Sequence, residues 1–121
     1  MNNKSGIDFN TGIYIRLSQE DKDKKYESDS ESVINQRELL TNYVRNNNFN
    51  LVGEYVDDGY SGTDFERPGF QKLIEDIKNK KINCVIVKDL SRFGRDHIMT
   101  GYYMESYFPE NNIRFISILE S

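Results

Sequence analysis

A hydroxyl, several guanidiniums and a few carboxylates stand at positions in this chain where their chemistries could combine. In Gly12-Ile13-Tyr14-Ile15-Arg16-Leu17-Ser18, a serine follows an arginine by two residues, on the same side of what reads as a short strand. A hydroxyl at a strand end beside an arginine can serve as a nucleophile next to a phosphate clamp. Asp58 and Ser61 stand in a second stretch, Asp57-Asp58-Gly59-Tyr60-Ser61-Gly62. Arg92 and Arg95 stand in a third, Lys88-Asp89-Leu90-Ser91-Arg92-Phe93-Gly94-Arg95-Asp96. Such a set suits a phosphodiester. Arginine binds phosphate through paired donors, stays charged, and can neutralise the extra charge of a pentacovalent transition state. There is no phosphate-binding loop of the Gly-x-x-x-x-Gly-Lys kind and no dinucleotide fingerprint. The carboxylates at 57, 58, 64 and 66 lack a fixed metal-ligand spacing and read as a solvated acidic loop.

These residues matter only if the chain brings them together, and the predicted elements do so. The first strand covers residues 12–17, with Ile13, Ile15 and Leu17 on one face and Tyr14 and Arg16 on the other. The acidic stretch Gln19 to Glu31 reads as a surface loop, with Ser28 and Glu31 fitting a capping box. A helix is expected from Ser32 to Asn47, with Val33, Gln36, Leu40, Tyr43 and Val44 on one face. Leu51 to Val56 is a second strand, and the aspartates after it fall in a tight loop. Pro68 opens a second helix with a stripe of Phe70, Leu73, Ile74 and Ile77. Ile82 to Val87 is apolar and β-branched, as a central parallel strand is. Lys88 to Asp96 is expected as a polar loop, His97 to Tyr107 as a third helix stopped by Pro109, and Ile113 to Leu119 as a fourth strand.

The resulting order, β-α-β-α-β-α-β with short connections, implies a three-layer α/β/α domain around a mainly parallel sheet. All parallel strands end on one edge, so Ser18, Asp58, Ser61, Arg92 and Arg95 converge on one rim, where a topological switch point opens a crevice.

Composition sets outer limits. The chain has 121 residues, enough for one domain, spanning 1–121 with residues 1–11 as a loose leader. Hydrophobic residues make up 36% and charged residues 30%, so the eight tyrosines and seven phenylalanines must supply much of the core. A net charge of −4 argues against the whole surface binding nucleic acid, and leaves room for a local positive site. The single cysteine, Cys84, lies in an apolar run and excludes an internal disulfide. The N-terminus lacks the apolar core of a signal peptide, and no apolar run approaches the ~20 residues that cross a bilayer. The expectation is a cytoplasmic protein without membrane contact.

Taken in order, Tyr14-x-Arg16-x-Ser18, Gln36, Asp58-x-x-Ser61-Gly62 with Arg67-Pro68, and Lys88-x-Leu90-Ser91-Arg92-Phe93-Gly94-Arg95 resemble the catalytic domain of the serine site-specific recombinases. Phe108-Pro109 and Ile113-Arg114-Phe115-Ile116 extend the likeness, which is greatest to the large serine recombinases of conjugative transposons and phages. The resemblance implies that Ser18 attacks a phosphodiester of double-stranded DNA and forms a 5′-phosphoserine link, with no metal and no small-molecule cofactor. It implies that Arg16, Arg92 and Arg95 bind the scissile phosphate. Arg67 would be a further active-site arginine, Gln36 a glutamine near it, and Tyr14 and Gly62 structural supports. Many small resolvases carry an acid immediately before the first arginine of the third motif, where this chain has Ser91. The proton donor to the 3′ oxygen is therefore open among Arg95, Asp89 and water. The family also implies a longer parent with a separate DNA-binding region, working as a dimer that pairs into a tetramer.

The competing reading is a receiver-like or flavodoxin-like regulatory domain. A receiver would place its acidic pair after strand one. Here the pair Asp57-Asp58 follows strand two, and strand three runs into lysine and arginines.

Overall fold

The computed structural model describes residues 9–18, 32–61, 63 and 65–120. The acidic stretch 19–31 with its Ser28–Glu31 capping box, and Gly62 and Asp64, lie outside the described residues.

Strand β1 (Asn10–Leu17) begins two residues earlier than its apolar alternation suggests. Polar pairing extends it: the Asn10 amide donates to Asn83 Oδ1 at 2.9 Å, and Asn50 donates to Asn10 Oδ1 at 2.9 Å. Asn10 and Thr11, expected in the leader, therefore belong to the sheet. Helix α1 (Val33–Asn46) is capped by Ser32, whose hydroxyl accepts from the Asn35 amide. It buries Gln36, Leu40 and Val44 as its period requires. Strand β2 (Asn50–Asp58) runs two residues past the apolar segment and takes in both Asp57 and Asp58, which the sequence pattern places in the loop. Parallel pairing to β1 carries it on, with Asp57 opposite Arg16 and Asp58 opposite Leu17.

Helix α2 (Pro68–Lys78) starts on its proline and buries Phe70, Leu73, Asp76 and Ile77. Strand β3 (Cys84–Val87) is buried throughout. The segment expected as a loop after it contains a helical turn, α3 (Leu90–Phe93), capped by the Asp89 side chain. Helix α4 (His97–Tyr102) passes into a π-helical turn (Tyr103–Tyr107) and then α5 (Phe108–Glu110). Pro109 thus does not stop the helix. The wider turn, with the Phe108 amide donating to the Tyr103 carbonyl, lets the chain carry a residue that has no N–H. Strand β4 (Arg114–Ser117) is shorter than expected and ends in a 3-10 turn (Ile118–Glu120).

The four strands form one parallel sheet in the order β2-β1-β3-β4. Alternation along β1 and β3 feeds two cores. Ile13, Ile15, Cys84 and Ile86 pack with Leu40 and Val44 of α1 on one face. Tyr14, Val85 and Val87 pack on the other with Phe70, Leu73 and Ile77 of α2, and with Phe93 and Phe108. This is the expected three-layer arrangement. Connections leave β1 and β3 in opposite directions, so the switch-point crevice opens between their carboxyl ends. No helix among the described residues is long and apolar enough to cross a membrane.

Candidate active site

Ser18 is the first residue after β1 and is buried, at the mouth of that crevice. The strand end leading to it is held from two sides. Gln36 Nε2 donates to the Arg16 carbonyl at 3.2 Å, and Arg92 Nη1 donates to the same oxygen at 3.4 Å. Gln36 is fully buried in this role, which explains a polar residue on the apolar face of α1.

The Arg16 side chain is fully buried. Its Nη1 donates to the Tyr60 carbonyl at 2.9 Å and its Nη2 to the Ser91 carbonyl at 2.7 Å. One guanidinium therefore ties the loop after β2 and the turn after β3 to the end of β1. Its Nε is buried with no hydrogen-bond partner among the described residues. Burial, then repulsion from Arg67, Arg95 and Arg92, lowers its pKa to about 10. It remains a cation at neutral pH, with Arg67, Arg95 and Arg92 near enough to repel it.

Arg67 is also fully buried. Its Nη1 donates to the Tyr14 hydroxyl at 2.7 Å and its Nη2 to the Phe93 carbonyl at 2.9 Å. The guanidinium carbon lies 4.7 Å from the Phe65 ring centre and 5.2 Å from that of Phe70. The Tyr14 hydroxyl in turn donates a hydrogen bond to Asp57 Oδ2 at 2.7 Å. Burial foremost, and then the Asp57 carboxylate, hold the Tyr14 phenol far above the ordinary tyrosine range, so it stays protonated.

Of the residues singled out in the sequence, the structure brings together Tyr14, Arg16, Ser18, Gln36, Arg67 and Arg92. Arg92 is 5% exposed, whereas Arg95 stands exposed just beyond the α3 turn. Asp58 is exposed at the carboxyl end of β2. Ser61 turns into its own loop, where its Oγ accepts from the Thr63 amide at 3.1 Å and lies 2.9 Å from Thr63 Oγ1. Asp89 accepts from the Ser91 hydroxyl and the Arg92 amide, and so is engaged as the cap of α3.

Sequence reasoning missed Asp57. It is 1% exposed, and it accepts from the Gly69 amide at 2.7 Å and the Phe70 amide at 2.9 Å as well as from Tyr14. It caps α2 from another strand, at a helix whose own N-cap residue, Arg67, makes no side-chain cap bond. Two signals pointed to it. Period-2 alternation from Tyr55 turns residue 57 inward, and a helix opening on Arg-Pro needs a cap from elsewhere.

A parallel α/β domain with a serine and clustered guanidiniums at its switch point carries the groups needed to act on a phosphoryl centre. Comparison with known proteins narrows this. The family model described as the resolvase N-terminal domain matches residues 11–121. The solved N-terminal catalytic domain of TP901-1 integrase matches with a TM-score of 0.81 at 35% identity, over 93% of this chain and 78% of that one. A resolvase family site-specific recombinase from Streptococcus pneumoniae matches with a TM-score of 0.70 at 25% identity, over 93% of this chain and 73% of its own. The C-terminal catalytic domain of ISC1926 TnpA, an IS607-like serine recombinase, shares the fold with a TM-score of 0.72 at 22% identity, over 90% and 67%. The chain belongs to the resolvase family and is a serine recombinase catalytic domain, an enzyme of DNA strand cleavage and rejoining.

Proposed function

We propose that Ser18 is the nucleophile and that Arg92 and Arg95 contact the scissile phosphate, with Arg16 completing the positive site. The observation that carries this reading is the position of Ser18. It stands directly after β1, two residues beyond a fully buried arginine whose pKa is lowered by burial and then by repulsion from Arg67, Arg95 and Arg92. Ser18 Oγ attacks phosphorus and gives up its proton to solvent. The P–O3′ bond breaks, its electron pair leaves with the 3′ oxygen, and that oxygen takes a proton. The products are a 5′-phosphoserine and a 3′ hydroxyl. In rejoining, a 3′ hydroxyl attacks the phosphoserine and Ser18 regains its proton. One phosphodiester is exchanged for another, so the step needs no external energy source. Asp58, Ser61, Gln36, Tyr14 and Arg67 support the site rather than react.

The substrate is duplex DNA, and the domain acts as the catalytic part of a longer recombinase that pairs as a dimer and tetramer. Two features support a longer recombinase with a separate DNA-binding region: the matching family is itself an N-terminal domain, and this domain is acidic, at −4. In the intact recombinase, Ser18→Ala is expected to bind the recombination site but form no covalent adduct on a nicked suicide substrate. An adduct in that variant refutes the assignment.

A further inference from the structure

Arg92 owes its position to the α3 turn, and that turn is fastened at both ends. At its start, Asp89 Oδ1 accepts from the Arg92 amide at 3.2 Å. At its end, the Phe93 carbonyl accepts from Arg67 Nη2 at 2.9 Å. Arg67 has little freedom of its own. It is 0% exposed, it lies against the rings of Phe65, Phe70 and Tyr14, and its other terminal nitrogen is held by the Tyr14 hydroxyl. That hydroxyl donates to Asp57, whose two oxygens are fixed by the first amides of α2. A continuous chain of hydrogen bonds therefore runs from β2 through β1 to the turn behind Arg92. The same turn is packed from below. A Cβ at Gly94 would lie 2.2 Å from Phe65 Cζ, so the backbone rests directly on the ring that also supports Arg67.

Arg67 is thus too enclosed to be offered to a phosphate, yet it is hydrogen-bonded to the segment that offers Arg92. We infer that Asp57, acting through Tyr14 and Arg67, is a positioning residue that sets the α3 turn and with it Arg92. The chain of bonds also explains why a charged pair is separated by a tyrosine. Direct contact with Asp57 would pull the guanidinium toward β2, whereas the phenol spans the gap and leaves Nη2 for Phe93. The inference rests on the reading of Arg92 as a phosphate ligand.

The test is a set of double-mutant cycles in the intact recombinase, reading adduct formation at saturating DNA alongside DNA affinity. Asp57→Asn removes the charge and turns one acceptor into a donor facing backbone amides. Tyr14→Phe removes only the hydroxyl, keeps the ring contact with Phe70, and serves where Asp57→Asn fails to fold. Each is expected to slow cleavage about tenfold or more while DNA affinity changes less than about twofold. In an Arg92→Ala background neither should slow cleavage by more than about twofold further, because the residue they position is gone. Full multiplication of the effects in that background overturns the inference, since a merely structural role would act on any variant. So does normal cleavage by Tyr14→Phe when Arg92→Lys is impaired. Normal cleavage by Arg92→Lys instead refutes the phosphate role of Arg92, and the purpose of the relay with it.

Discussion

Arg16→Lys isolates what a planar guanidinium contributes to this site. Arg16 bridges two carbonyls, Tyr60 O at 2.9 Å and Ser91 O at 2.7 Å, in loops that follow different strands. A lysine ammonium is a single point donor and cannot reproduce that fork. Losing one charged hydrogen bond costs about 1.5–3 kcal/mol. In a domain of this size that lowers Tm by roughly 6–12 °C. A second consequence is titration. Burial and then the neighbouring arginines bring Arg16 down to about 10. The same burial and like charge push a lysine at this position below its ordinary value, near ~10.4. The native arginine stays charged across the working range, whereas the lysine gives up its proton at a lower pH than a free ammonium does. Cleavage by the variant should be down ~10²–10³-fold at pH 7. It should fall further as pH rises, while the native rate shows no such loss. Stability moves the other way. The folded variant holds its proton less tightly than the unfolded chain, so the cost of the buried ammonium is full below the folded value and relaxes as pH rises toward ~10.4. The assay is the rate of adduct formation on a suicide substrate over a neutral-to-alkaline pH series, with thermal melts alongside. A variant with the native rate and a flat profile would refute the claim that the fork is needed.

Other outcomes follow from the same geometry. Chelation with EDTA should leave cleavage by the intact recombinase unchanged, and a strict magnesium requirement would contradict the direct serine route. Gly94→Ala should destabilise the domain by about 1–3 kcal/mol in denaturant unfolding, because Phe65 is wedged among Phe70, Phe93 and Tyr103 and cannot yield cheaply. An unchanged midpoint would show that the ring moves freely. The isolated 121-residue chain should bind duplex DNA no tighter than ~10⁻⁴ to 10⁻⁶ M at physiological salt, by gel shift. Sequence-specific nanomolar binding would reveal a DNA-reading surface on this domain.

The sheet and its helices were legible because their signals are periodic and long. The Phe70, Leu73, Ile77 stripe fixes α2, and the run Cys84 to Val87 has the composition of a strand buried on both faces. Once four parallel strands are placed, their common edge follows, and with it the meeting of Ser18, Arg16 and Arg92. The misses lie where the deciding interaction is remote in sequence. Four residues, Leu90 to Phe93, are too few to show a helical period, and only the Asp89 cap announces the turn. The aspartates of β2 resemble loop residues because aspartate is rare in strands, and pairing with β1 overrides that preference. Pro109 signals a helix end in sequence, and a π turn absorbs it.

The net charge of −4 and the cluster of arginines are compatible because of what holds the arginines. Burying a guanidinium is costly unless its donors are satisfied. Carboxylate partners would satisfy them and also cancel the charge. Arg16 is held instead by the carbonyls of Tyr60 and Ser91, and Arg67 by the Phe93 carbonyl and the Tyr14 hydroxyl. Among the described residues, neutral acceptors thus fix these two guanidiniums in place without a carboxylate in hydrogen-bond contact. The buried carboxylate that reaches this network, Asp57, is set behind Tyr14 and turned toward the amides of α2. The arrangement has a cost: burial first, and then repulsion from Arg67, Arg95 and Arg92, lowers the pKa of Arg16. On the proposed role of these arginines, an incoming phosphodiester relieves that repulsion, and a pentacovalent phosphorus, with its added negative charge, relieves it further. The repulsion built into the folded domain would thereby become a preference for the transition state over the bound substrate.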